Sequence, residues 1–227
     1  YKSGQSNGFA HALKYQLGPE GYARMVADGK TPATASDAEL ANYADSYFEY
    51  DAERRVTKQT TLGGSQEHVY SYSTSSFSDD YNHWQTKTTE TLPNGAKNIV
   101  YTNYAGQTML KVYESGSDKW YEFTEYDGSG KPVLEASSAA VNGYDDTKAD
   151  LLNKVSGSYS YLNNSTGFIT TSTYYTATDV ANGKVAGLLE RVSVQEGQEG
   201  TAVKVREYEY TSRLVSGNTI YPRAKVT

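Results

Sequence analysis

The side chains able to do chemistry are thinly spread along this chain. Three histidines, His11, His68 and His83, show no His-x-His or His-x-x-x-His spacing, so a metal site would require the fold to assemble it from remote positions. Isolated histidines more often serve structure or surface. Acidic pairs at Asp79-Asp80 and Asp145-Asp146 have the oxygen chemistry of a glycosidase acid and base, or of a Ca²⁺ ligand set. Neighbouring residues do not converge by themselves, which favours loop and helix-cap duty. Asp127-Gly128-Ser129-Gly130 opens like a calcium loop but lacks the later Asp, Asn and Glu ligands. No Gly-x-Ser-x-Gly elbow, phosphate loop or dinucleotide fingerprint occurs. The expectation is a non-enzyme with no catalytic residue, metal or cofactor; an embedded hydrolase is the remotest of the readings.

Aromatic side chains offer a different chemistry. Trp84, Trp120, Tyr121 and Tyr174 could stack against sugar rings, and surface glycans are therefore one candidate partner. The competing reading is structural, because aromatic side chains also form cross-strand ladders.

These residues must be positioned by elements that the pattern suggests in turn. Leu13, Tyr15 and Leu17 alternate as a strand. Pro19 suits a first helical position, Tyr22, Met25 and Val26 share a helical face, and Gly29 can close the segment in a left-handed cap. Ser36-Asp37-Ala38-Glu39 matches a capping box, predicting a second short helix through Leu40 and Tyr43. From Tyr47 the period changes to alternation, with a hairpin over 47–61 and strands at 67–74, 83–91, 97–104, 108–114, 120–126 and 131–136. Asn94-Gly95 is a strong hairpin signal because both residues tolerate positive φ. Asp145-Asp146 could cap a third brief helix over Ala149, Leu151 and Leu152. Strand character returns at 157–162, 167–176, 185–195 and 203–211, and again at 221–227.

Composition agrees with a sheet. Leu, Ile, Val and Phe make up about 16% of the chain, below the roughly 20% at which disorder becomes a concern if net charge is high. Net charge is only -6, and 22 tyrosines supply the missing apolar area while keeping a polar tip. Tyr, Thr and Val favour pleated, half-buried surfaces. There is no cysteine, hence no disulfide framework. With Lys and Arg scattered among acids and a pI near 5.2, no basic stripe is present to meet a phosphate backbone, so nucleic acid is not an expected partner. No apolar run approaches the ~18 residues of a membrane span, and no signal-peptide pattern opens the chain. The missing initiating Met suggests processing or an excised fragment.

One pattern repeats. Tyr47-Phe48-Glu49-Tyr50-Asp51-Ala52-Glu53-Arg54-Arg55-Val56-Thr57 recurs in outline as Thr124-Glu125-Tyr126-Asp127-Gly128-Ser129-Gly130-Lys131-Pro132-Val133. The Asp can hydrogen-bond the backbone ahead of it, and a Gly three residues later can take the left-handed position that releases the partner strand. Tyr50, Asp51 and Arg55, with Tyr126, Asp127 and Gly130, are thus hairpin-forming residues first. On these residues the chain resembles the Rhs/YD-repeat family, whose repeats read Tyr-x-Tyr-Asp, a turn, Gly-Arg and a strand. Looser echoes lie at Tyr70-Ser71-Tyr72, Tyr101 to Gly106, Tyr159-Ser160-Tyr161 and Tyr208-Glu209-Tyr210. Arg54 stands at the glycine position of the first copy, Pro132 interrupts the second, and the spacing between copies is irregular. The stretch from Gly18 through Asp51 also resembles segments of repeat proteins from planctomycete-type bacteria.

The resemblance implies a large secreted or cell-surface bacterial protein in which strips of sheet can curl into a shell. The expected fold is mainly β: an antiparallel meander of hairpin repeats with two or three short helices. Residues 1–46 would form an N-terminal strand with a helical insert packed on the sheet, and 47–227 one continuous β region. The expected role is a non-catalytic scaffold whose sheet edges meet neighbouring repeats or copies of the same protein. The alternative is a carbohydrate- or protein-binding surface module.

Overall fold

The computed structural model describes residues Tyr1–Thr227. With 44% of residues in strands against 9% in helices, the chain is mainly β, as the composition predicts. The strands are β1 (Tyr15–Gln16), β2 (Ser46–Tyr50), β3 (Val56–Thr61), β4 (Gln66–Thr74), β5 (Trp84–Thr91), β6 (Lys97–Asn103), β7 (Thr108–Ser115), β8 (Asp118–Tyr126) and β9 (Pro132–Ala136). After them come β10 (Lys154–Val155), β11 (Ser158–Tyr159), β12 (Phe168–Tyr174), β13 (Leu189–Glu196), β14 (Val203–Tyr210), β15 (Arg213–Val215), β16 (Asn218–Ile220) and β17 (Arg223–Val226). One antiparallel sheet follows chain order through β1 to β9 and then β12, β13, β14 and β17, while β10–β11 and β15–β16 are separate small hairpins.

Two compact units partition the chain. The first comprises Tyr1–Ser73, Thr88–Ile99 and Glu114–Asp118; the second comprises Thr74–Lys87, Val100–Tyr113 and Lys119–Thr227.

In the first unit, helix α1 (Pro19–Ala27) begins on its proline and ends with Gly29 at φ 72°. The buried face is Gly21 and Met25, whereas Tyr22 and Val26 stay about half exposed. Gly21 explains the difference, since a Cβ there would lie 2.3 Å from the Tyr43 carbonyl oxygen; the helix rolls onto its smallest residue. Helix α2 (Asp37–Tyr43) carries both halves of the capping box, Ser36 Oγ accepting from Glu39 N and Glu39 Oε2 from Ser36 N. Those bonds, with Lys30, hold the Glu39 carboxyl down at about 2.

Buried apolar residues of the second unit include Tyr101, Met109, Leu110, Val112, Phe123 and Ile169 from the strands and, as a second group, Ala140, Val141, Leu151, Leu152, Tyr159 and Leu162, all at most 6% exposed. The latter group belongs to the connection 137–167 between β9 and β12. The third helix expected in that connection does not form. Asp145 Oδ1 instead accepts from Thr147 N and Oγ1 (2.9 and 2.7 Å), Asp150 Oδ1 accepts from Asn153 N (3.0 Å), and Leu151 and Asn153 adopt φ of 65° and 52°. Side-chain acceptors thereby compete with the helical bonding pattern and break it. Its two leucines are nevertheless fully buried. The expected strand over 185–195 begins only at Leu189, and that over 157–162 shrinks to the two residues of β11.

Four hairpin ends share one bonded turn. Asp51 N donates to Arg55 O (2.9 Å) and Arg54 N to Asp51 O (3.1 Å); the same pair of bonds joins Leu92 with Ala96 and Gly95, Asn103 with Gln107 and Gly106, and Asp127 with Lys131 and Gly130. The third residue after the first is left-handed every time: Arg54 at 67°, Gly95 at 82°, Gly106 at 75° and Gly130 at 78°. This is a type I turn followed by a bulge, consistent with register shifts at Glu49/Tyr50 and Glu125/Tyr126. Asn94 is not at positive φ, so the Asn94-Gly95 hairpin belongs to this family rather than to the two-residue mirror-image turn. Arg54 occupies a glycine conformation, with its guanidinium 5.1 Å from the Phe9 ring centroid.

Side chains staple these turns. Asp127 Oδ1 accepts from Ser129 N (2.8 Å), Ser129 Oγ (2.7 Å) and Lys131 N (3.0 Å); Asp51 Oδ1 accepts from Arg55 N (2.8 Å); Asn103 Oδ1 accepts from Ala105 and Gln107 N. Partial burial pushes both Asp carboxyls up, but the backbone and side-chain bonds outweigh it and leave them below the usual range. A carboxyl with a lowered folded pKa contributes stability above its unfolded value and loses it as pH falls through the folded one. Denaturant midpoints should therefore hold from neutral pH to near 4 and decline below it. Asp127→Ala should cost about 1–2 kcal/mol at pH 7 and flatten the acid limb of that profile; an unchanged profile would show that the staple contributes nothing.

Candidate functional site

The residues singled out in the sequence fall into three environments. The Tyr-Asp motif residues are bonded within or against their own hairpins. The Tyr50 ring meets Tyr1 and Phe9 edge-on at 6.0 and 5.3 Å, and Arg55 pairs with Asp51 (Nε to Oδ2 2.7 Å) while lying 4.4 Å from the Tyr72 ring centroid. Tyr126 donates its hydroxyl to Thr108 O (2.6 Å). Asn82 bonds both the N–H and the carbonyl of Tyr126 at 2.8 Å. Gly130 is also spatially required, because a Cβ there would lie 2.6 Å from the Tyr81 ring.

The four aromatic candidates are not brought together. Trp84 is 7% exposed, edge-on to Phe77 and Tyr101 at 6.1 and 5.3 Å, with its Nε1 donating to Asp146 O at 3.1 Å. Trp120 and Tyr121 are adjacent in β8 and so face opposite sides of the sheet. Trp120 is 47% exposed beside Tyr113, and Tyr121 turns towards Tyr144 at 6.1 Å. Tyr174 donates to Pro132 O (2.9 Å) beneath the Lys131 ammonium. Among the histidines, His68 is bonded to Glu90 (2.9 Å), which also accepts from Tyr70 and Asn98, and His83 Nδ1 lies 2.9 Å from Ser78 O. Among the described residues no group of three or more His, Asp or Glu is placed to hold a metal ion.

What the second unit does assemble is a cleft of about 360 Å³ lined by Lys119, Tyr121, Gly143, Tyr144, Asp145, Asp146 and Tyr161. Strand β8 supplies the first two, and the connection 137–167 supplies the rest. The connection is fixed from within: Asn142 N donates to Tyr161 O (3.0 Å), Asp145 N to Leu151 O (2.9 Å), and Val141 bridges Leu162. A Cβ on Gly143 would stand 3.1 Å from the Tyr161 ring, so the ring lies against bare backbone. Asp146 Oδ2 accepts from Lys87 Nζ (3.0 Å) and Tyr101 Oη (3.2 Å). The Tyr144 ring stands edge-on to Tyr101 at 5.4 Å. Burial pushes the Tyr101 hydroxyl up, helped by its bonds to Tyr144 and Asp146. The bonds from Thr147 hold Asp145 below the usual range.

No family model matches the chain, and no curated protein matches it either.

Tyr144 lies outside any periodic segment, and Tyr161 stood in the sequence only as part of an expected strand over 157–162, which in the structure stops at Tyr159. The only local signal was Tyr144 directly before an acidic pair. Two larger hollows, about 570 and 780 Å³, meet at Phe168. The first runs along Lys111, Glu122, Thr124 and Glu135, and the second is lined by exposed Phe168, Val203 and Val205. The cleft differs from both in gathering three tyrosines.

Proposed function

We propose that this chain is a non-catalytic scaffold: a strip of antiparallel sheet built from diverged Tyr-Asp hairpins of the Rhs/YD type, within a larger secreted or cell-surface bacterial protein. The observation that carries the reading is the recurrence of one turn at four hairpin ends, in which Asp51, Asn103 and Asp127 are consumed as backbone staples. Side-chain oxygens spent on closing turns organise strands rather than reactants. The strand order, sequential wherever the main sheet is concerned, suits a protein that extends by adding hairpins.

An end strand is where such a scaffold would continue. Strand β17 is the last of the sheet order and its four residues are exposed. Thr227 exchanges both backbone bonds with Glu207 (2.8 and 3.0 Å), so by the antiparallel alternation the N–H and C=O of Val226 point away from β14. Unpaired edge groups are a template for another strand. Sedimentation of the chain at rising concentration should show self-association, and Val226→Pro should abolish it without lowering the thermal midpoint, since proline at that position removes only the outward donor. A chain that remains monomeric throughout, with rapid exchange of the Val226 amide, would overturn the edge-pairing role.

A further inference from the structure

We propose that the cleft between β8 and the connection 137–167 is a binding site for a neutral hexose unit of an oligosaccharide. This site is independent of the scaffold role and uses different residues.

The first argument is the connection itself. Residues 137–167 contain only the two-residue strands β10 and β11 as regular structure. Long connections of that kind in compact units usually carry function. Here its leucines form part of the core, while Tyr144, Asp145, Asp146 and Tyr161 line the cleft.

The second argument is the contrast among tyrosines. Tyr101 and Tyr159 of the same unit are 0% and 6% exposed. Tyr121, Tyr144 and Tyr161 are only half-buried, around one hollow. A tyrosine ring is an amphipathic, low-entropy contact surface, and its flat face suits the C–H face of a pyranose while carboxylate, ammonium and phenol groups meet the hydroxyls. The volume falls within the range of small-ligand sites and accommodates a single ring.

Charge selects the class. Asp145 and Asp146 are balanced by Lys119 in the lining and by Lys87, 3.0 Å from Asp146. A phosphorylated, sulfated or uronic sugar would meet two carboxylates, and a purely apolar ligand would strand their hydrogen-bonding capacity. A neutral polyol satisfies both constraints.

The whole chain should be screened against cellotetraose, maltotetraose and mannotetraose, with tetragalacturonate as the acidic comparison. One neutral tetrasaccharide is expected to bind and to shift the NMR signals of Tyr121, Tyr144 and Tyr161. Tyr161→Ala should weaken it by up to about tenfold, the loss of one stacked ring, whereas Tyr161→Phe, which keeps the ring, should weaken it less. Trp120→Ala, on the opposite side of β8, should leave affinity unchanged. Absence of millimolar binding by all three neutral probes, preference for tetragalacturonate, or shifts confined to residues outside the cleft would each overturn the proposal.

Discussion

Gly167→Ala is expected to be the most damaging small substitution in the chain, costing more than about 4 kcal/mol and leaving little folded protein. Gly167 has φ +78°, a region that costs an L-residue about 1–2 kcal/mol. The larger penalty is steric: a Cβ would stand 2.0 Å from Ala140 N, 2.2 Å from Ala139 C and 2.4 Å from Ala140 Cα. These are backbone atoms, so no side-chain rotation relieves the contact. Moving them breaks the start of the connection, where Ala140 N donates to Ser137 O, Ser137 N to Phe168 O, and Asn163 N to Ala140 O. The Gly167 carbonyl also accepts from Gly197 N at 2.8 Å, which ties in the β13–β14 turn. Gly128→Ala is the matched control: nothing lies within 4 Å of its Cβ position and its φ is not positive, so that variant should be neutral or gain up to about 1 kcal/mol through the unfolded chain. Urea midpoints of the two variants decide the matter; equal midpoints would refute the packing argument.

Trp84→Ala is expected to cost about 3–5 kcal/mol. The indole fills the space between Phe77 and Tyr101, and its removal orphans the Asp146 carbonyl that accepts from Nε1. Backbone bonding anchors the same point, Trp84 N donating to Ala149 O at 3.0 Å. The substitution would thus loosen the seat of Asp146 as well as the core, and lost glycan binding in this variant would report unfolding rather than lost stacking. Trp120→Ala exchanges an exposed ring and should cost about 1 kcal/mol, the range of an aromatic pair contact. With only two tryptophans in the chain, fluorescence separates the environments. Trp120→Phe should leave the blue-shifted emission of a buried indole, and Trp84→Phe the red-shifted emission of an exposed one. Indistinguishable spectra would contradict the burial assigned to Trp84.

Both variants bear on how the aromatic candidates divide. Trp84 and Tyr174 stack or bond within the fold, Trp120 stands on a sheet face with Tyr113, and only Tyr121 reaches the cleft. A strand pattern states which residues share a face; it does not state which face another segment will cover. Trp84, the first residue of β5, and Trp120, in the body of β8, look alike as alternating aromatics and differ only in what lies over them.

The sequence by itself determined the features whose causes lie within about four residues. Asp51 and Asp127 closed their turns as expected, Ser36 and Glu39 formed the capping box, Pro19 and Gly29 bounded a helix, and the Tyr- and Thr-rich alternation became sheet. Each rests on hydrogen bonds or backbone preferences of adjacent residues, so local composition suffices. Only the tertiary structure decided the path of 137–167, where Asp145 and Asp150 took local backbone donors, Leu151 turned left-handed, and two leucines entered the core without a helix. That path depends on non-local contacts, among them the Tyr159 ring edge-on to Phe123 at 6.0 Å, and on the bare backbone of Gly167 and Gly143. It is also what gathers Tyr144 and Tyr161 around one cleft with Tyr121, a juxtaposition that no spacing along the chain records.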